Sequence, residues 1–147
     1  MRSWKKNSPQ RTQRNAKERK GSDRENEASK AIVDAAMRVH SVLGPGLLES
    51  AYEACLSHEL TKRSLMVRRQ VALPIRYDGL LLETGYRLDL LVDESVVVVL
   101  KAVDRLLPIH TAQILSHLRL GGFRLGILLN FNVLHMKDGI KRVANGM

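Results

Sequence analysis

The chain has a single cysteine, Cys55, among its 147 residues, so no internal disulfide can form, and no Cys/His set shows zinc-ligand spacing. That usage suits a reducing compartment, with Cys55 as a small core residue. Long apolar runs are also missing. Each is broken by charge well short of the ~20 residues a membrane helix needs, and the N-terminus is basic and polar with no apolar signal core. The expectation is a soluble, cytoplasmic protein with no membrane partner. There are no internal repeats, and acids are scarce at one end only. Residues 1–22 hold eight Lys/Arg against Glu18 alone, whereas the rest of the chain carries sixteen against fourteen, so most of the net charge of +9 belongs to the leader and not to a basic fold.

What is present fits one domain: 44% hydrophobic content over this length can bury a sizeable core. Residues 1–22, MRSWKKNSPQRTQRNAKERKGS, lack apolar periodicity and read as a basic tail, disordered or weakly helical, ahead of a domain over 23–147. Its Lys5, Lys6, Arg11, Arg14, Lys17, Arg19 and Lys20 are candidate phosphate contacts, or a solvated leader with no partner. From Ser22, whose spacing to Glu25 is that of a capping box, Ala28, Ile32, Ala35, Ala36, Val39 and Leu43 recur at helical period until Gly44-Pro45-Gly46 stops the run. A second helix follows from Leu47 to Arg63, with Leu48, Ala51, Tyr52, Cys55, Leu56 and Leu60 on its apolar face and Glu49 and Glu53 off it. From Val67 the period becomes two. VRRQVALPIRY reads as a strand in which Pro74 argues for an edge or a bulge, Asp78-Gly79 as a turn, and LLLETGYRLDLLV as a second strand. VVVVLK is a third strand, Pro108–Leu120 a helix closed by Gly121-Gly122, RLGILLNF a fourth strand, and VLHMKDGIKRV a last strand or turn.

Lys101 ends an otherwise apolar run, and an unpaired ammonium costs several kcal/mol to bury. With Asp93-Glu94-Ser95 as the hairpin loop, Val92 pairs with Val96 and Asp89 falls opposite Val99. Directly opposed residues share a face, as do residues two apart, so Asp89, Val99 and Lys101 are expected to point the same way. A partly buried Asp89–Lys101 ion pair is one reading of that arrangement, and a working site is the other. On the third helix His110, Gln113 and His117 form a polar stripe, and Arg68, Arg69 and Arg76 are either solubilisers of a strand edge or phosphate contacts.

GPGLLESAY carries Gly46, Glu49 and Tyr52 at the spacing that gives the GxxExxY family its name. The likeness continues through RRQVALPIRYDG, GYRLDLLV, LKAV, HTAQILSHL and GILLNF, and covers roughly Asp23 to Asn145. The sequence therefore resembles that family, which is regarded as part of the PD-(D/E)XK nuclease-like superfamily. The resemblance implies an α/β fold, a mixed central β-sheet flanked by helices as in restriction endonucleases, and hydrolysis of DNA or RNA with Mg²⁺ or Mn²⁺. Carried over, the pattern makes Asp89 and Glu49 metal-binding acids, Lys101 the motif lysine and Gln113 a polar helical residue at the site. A hard cation takes oxygen ligands, and the lysine orients water and stabilises charge on phosphorus. Two residues before the lysine the pattern asks for a second acid, and this sequence has Val99. No strand acid replaces it: Glu83 lies roughly 20 Å and Asp93 about 13 Å from Asp89 along an extended strand. Glu49 is left as the co-ligand, so metal binding is expected to be weak and catalysis impaired. The alternatives are an inactive nucleic-acid-binding or protein-interaction module on the same fold, and a partner protein with no nucleic-acid role.

The charge distribution generates one prediction. Each phosphate neutralised adds about 0.9 to the log-log salt slope on duplex DNA. Deleting residues 1–22 should therefore flatten the slope measured in a salt titration. An unchanged slope would move nonspecific binding onto the folded domain.

Overall fold

A strand that is apolar on both sides is stable only in a sheet covered on both faces. Val96–Leu100 is such a run, and all five residues are buried. The computed structural model describes residues 9–146, and this run is the middle of five strands. In chain order the elements are helices α1 (Pro9–Leu43) and α2 (Glu49–Lys62), strands β1 (Val67–Tyr77), β2 (Leu80–Val92) and β3 (Val96–Lys101), helix α3 (Pro108–Gly121), strand β4 (Leu125–Asn130), a 3-10 turn (Met136–Gly139) and strand β5 (Ile140–Ala144). The sheet order is β1-β2-β3-β4-β5, with β3 and β4 parallel across α3 and the other pairs antiparallel. This is the expected α/β fold, a mixed sheet flanked by helices. On one face Ile32, Ala36, Tyr52, Leu56 and Leu60 of α1 and α2 pack on Leu90, Val92, Val96, Val98 and Leu100. On the other, Ile114 and Leu118 of α3 pack on Leu88, Leu91, Val97, Val99 and Leu128. Each fully buried branched side chain contributes roughly 1.5–3 kcal/mol. Among the described residues no helix is long and apolar enough to cross a membrane.

Two glycines with left-handed backbone, Gly44 at φ +70° and Gly46 at φ +99°, make the reversal from α1 to α2. The turn is fastened by Tyr52. Its hydroxyl donates to the Gly44 carbonyl at 2.6 Å and accepts from the Leu47 amide at 3.1 Å. Its ring, fully buried, stacks on Phe131 with centroids 4.5 Å apart. The spacing of Gly46, Glu49 and Tyr52 thus has a physical account: the glycine makes the turn, the tyrosine holds it, and the glutamate between them opens α2.

Several expectations are corrected. Helix α1 begins at Pro9 and runs through Ser22, so Ser22 and Glu25 do not set its start. The polar helical segment before Ser22 is rich in Arg, Lys and Gln, good helix formers, with Gly21 as a single cost of about 1 kcal/mol. The buried side of α2 is rotated from its expected position. Leu48 is 77% exposed, Cys55 is exposed, and Glu53 is only 8% exposed, because Arg69 and Gln70 of β1 hold its carboxylate. Cys55 instead faces a groove between α1 and α2 beside Val39, Val42 and His58. The reading of Pro74 holds, since β1 is an edge strand and its register with β2 shifts between Leu73 and Ile75. Lys5 and Lys6 lie outside the described residues. Of Arg11, Arg14, Lys17, Arg19 and Lys20, only the helical backbone is described.

The tyrosine clamp is testable. Tyr52→Phe keeps the stack on Phe131 but leaves the Leu47 amide and the Gly44 carbonyl without their partner, which should cost about 1–3 kcal/mol in urea denaturation. A variant as stable as its parent would show that water replaces the hydroxyl.

Candidate functional site

The site lies where β2 and β3 part. Their ladder runs Val92↔Val96, Leu91↔Val97 and Leu90↔Val98, the register expected from the loop, and the next residue on β2 is Asp89. Asp89 Oδ2 accepts the Leu100 amide at 2.8 Å. Two residues on, the Ala102 amide donates to Glu49 Oε2 at 3.3 Å. Alternate amides of an extended segment face the same edge, so the two carboxylates accept from one edge of the chain as β3 ends. One comes from the neighbouring strand and the other from the first turn of α2.

A defect in the sheet opens this gap. Leu88 and Leu90, two residues apart on β2, should share a face, yet Leu88 packs with α3 and Leu90 with α1 and α2. Opposite Asp89 on β1 stands Gln70, which is skipped in the ladder and has φ +53°. A non-glycine residue in that region is strained by on the order of 1–3 kcal/mol and needs its surroundings to hold it. Gln70 Nε2 donates to Glu53 Oε1 at 2.7 Å, Arg69 Nε donates to Glu53 Oε2 at 3.1 Å, and Arg87 donates to the Gln70 carbonyl at 3.3 Å. Glu53 is the acid at this site that sequence reasoning missed. Its spacing of one helical turn from Glu49 places the two on the same side of α2 and was the available signal.

The charges are unbalanced. Burial pushes the Asp89 carboxyl above its ordinary value, with the Leu100 amide opposing, Glu53 and Glu49 adding to the rise, and Lys101 opposing. Lys101 is half-buried and, among the described residues, the ion pairs do not include one between it and Asp89. Val99 and Lys101 follow one another on the α3 face, whereas Asp89 turns its carboxylate into the gap between strands, so the expected common face holds for two of the three.

The remaining sequence-predicted residues divide. Gln113 joins Lys101 in lining a cavity under α3. His110 Nδ1 accepts the Leu107 amide at 2.9 Å and so caps α3. His117 packs against Tyr86, and burial followed by the Lys101 ammonium lowers its pKa. Arg68 holds both oxygens of Glu94 at 2.9 and 3.0 Å, and Arg69 is paired with Glu53. Both arginines thus have partners within the chain. Among the described residues no three His, Cys, Asp or Glu side chains gather as a metal group. Asp89 and Glu49 are nonetheless hard oxygen donors in a patch short of positive charge. They fit a magnesium-type cation that takes one or two carboxylates and fills its octahedron with water and phosphate.

Because the folded chain binds the Asp89 proton more tightly than the unfolded chain, stability falls as pH rises from the ordinary value of 3.8 to the raised one, and the penalty then stays constant. Asp89→Asn keeps an oxygen for the Leu100 amide and removes the charge. Urea midpoints of the variant should exceed those of the parent at neutral pH and converge with them below pH 3.8. A variant less stable than its parent at neutral pH would mean that the ionised carboxylate holds the strand gap together.

A search of curated proteins and of solved structures finds no match to the chain. A family model described as the PD-(D/E)XK nuclease superfamily matches residues 26–143, a span that takes in β1 to β4, nearly all of β5, α2, α3 and the carboxylate and lysine positions just described. The chain belongs to the PD-(D/E)XK nuclease superfamily.

Proposed function

We propose that the chain is a cytoplasmic nuclease-like protein of the GxxExxY family that engages DNA or RNA and whose metal-dependent phosphodiester hydrolysis is impaired by Val99. The observation that carries this reading is the pair of carboxylates, Asp89 and Glu49, on the alternate amides of Leu100 and Ala102 at the end of β3, with Lys101 the last residue of that strand. Asp89 and Glu49 would hold Mg²⁺ or Mn²⁺. When bound, such an ion supplies Lewis-acid stabilisation of charge on phosphorus and a more acidic water. Lys101 orients the attacking water and stabilises the charge gathering on the phosphoryl oxygens, and Gln113 positions the substrate beside it. The turn at Gly46 and the Tyr52 clamp fix where Glu49 enters.

One observation favours a second reading, an inactive nucleic-acid-binding or protein-interaction module. Val99 is 9% exposed and belongs to the apolar cluster under α3, so the place of the missing acid is filled by core. Cluster packing of this kind supports stability and contributes nothing to metal binding.

Val99→Glu separates the two. A glutamate there, two residues before Lys101, would bring an oxygen donor to the strand end near Asp89, and weak Mn²⁺ binding should strengthen in calorimetry. In EDTA the same change buries a charge near two other carboxylates and should cost several kcal/mol. Added Mn²⁺ should restore the melting temperature, because a ligand of the native state alone stabilises it. Any cleavage gained should vanish with Lys101→Ala. Equal Mn²⁺ affinity in parent and variant would favour the inactive module.

A further inference from the structure

The α3 side of the sheet holds a cavity that the chemistry above leaves mostly unused. It has a volume of about 420 Å³ and is lined by Tyr86, Lys101, Gln113, Ser116, His117 and Leu120. Small-ligand sites commonly fall in the range of about 300–1,000 Å³. Lys101 is the one charged residue in this lining at neutral pH, since His117 is held below its usual pKa, and no acid lines it. The His117 Nδ1 is buried and has no hydrogen-bond partner among the described residues.

Tyr86 is the unusual member. It stands opposite Leu73 in the β1–β2 ladder, and Leu73 packs under α3, so the tyrosine projects on that side as well. One side of its ring leans on His117, with centroids 5.3 Å apart and planes at 43°, yet the residue remains 55% exposed. A tyrosine braced on a neutral imidazole, with open surface left over and an ammonium without an ion-pair partner among the described residues lining the same cavity, presents a π-surface next to a phosphate-seeking charge. Beyond the register shift the hairpin continues through the opposed pairs Ile75↔Leu82 and Tyr77↔Leu80, and Tyr77 is 73% exposed.

We infer that this cavity is a nucleobase subsite in which an unpaired base stacks on Tyr86 while Lys101 faces its phosphate, so that the substrate class is single-stranded nucleic acid or a strand with an exposed base. The inference rests on the nucleic-acid reading above and narrows it. Aromatic side chains stack on bases whose faces are free, and a duplex keeps those faces covered. Gln113 and Ser116 supply amide and hydroxyl groups for the base edge, and the Tyr77 strip gives the strand an apolar path out along the hairpin.

The test uses the full chain and fluorescence anisotropy at salt high enough to suppress the contribution of the basic leader. The probes are an oligothymidylate, the same sugar-phosphate strand made abasic, and a duplex. The protein should prefer the oligothymidylate to the duplex. Tyr86→Ala should weaken oligothymidylate binding by about 5- to 100-fold, the range of one stacked base, and leave binding of the abasic strand unchanged. Tyr86→Phe should bind like the parent. If Tyr86→Ala does not melt cooperatively, Tyr86→Leu takes its place, retaining apolar bulk without a π-face. Binding of the oligothymidylate unchanged in the variant, or weakened equally on the abasic strand, overturns the subsite and leaves the nucleic-acid reading standing. Failure of the parent to bind any of the three probes overturns both.

Discussion

The hydrogen bond from the Leu100 amide to Asp89 Oδ2 is made where the β2–β3 ladder ends, and it sets a carboxylate into an interruption of the sheet. A central strand cannot leave amides unpaired in a protein interior, so an acceptor must stand in for the missing strand. Here two carboxylates do so in succession, Asp89 and then Glu49. Such bonds satisfy the backbone and at the same time fix one oxygen of each acid. The cost is electrostatic. Three acids, counting Glu53, influence one another at the mouth of the gap, and Arg69 and Lys101 answer them only in part.

The geometry also separates the components onto different sides. Glu49 and Glu53 arrive from α2, on the side of the sheet covered by α1 and α2, while Lys101 and Gln113 line the cavity under α3. The end of β3 is where the two sides communicate. A phosphate bridging them would therefore sit at the strand end and not on either flat face of the sheet. This placement explains how Val99 can be core and a neighbour of the site at once: its side chain belongs to the α3 layer, on the side of Lys101, while its strand runs past the acids.

Much of this was legible in the sequence because it depends on short-range rules. The three-residue loop at Asp93-Glu94-Ser95 set the register from Val92↔Val96 to Leu90↔Val98, which leaves Asp89 as the next residue where the strands part, and the five buried residues of VVVVL marked the middle strand. Pro74 marked an edge strand and an irregularity. What escaped depends on contacts between distant segments. Nothing local in ESAYEACLSHEL says that Glu53 turns inward and Cys55 outward. That choice is made by Arg69 and Gln70 on another element. The left-handed Gln70 was likewise invisible, since its side-chain type does not demand such a backbone and only its bonds hold it there. The length of α1 escaped because apolar periodicity reports a packed face, and a polar helix has none to report.

The outer strand β1 has a bearing on association. Sheet rims expose unpaired backbone groups that invite another strand, a hazard for a protein with a long hairpin. On this rim Pro74 has no amide to offer, the ladder shifts register beside it, Gln70 kinks the backbone, and arginines stand at positions 68, 69 and 76. The opposite rim, β5, is five residues long and carries Lys141 and Arg142. Both ends of the sheet therefore resist polymerisation by strand addition. The hairpin is consequently free to present its side-chain faces to a visitor, as an arm that can be gripped but not extended.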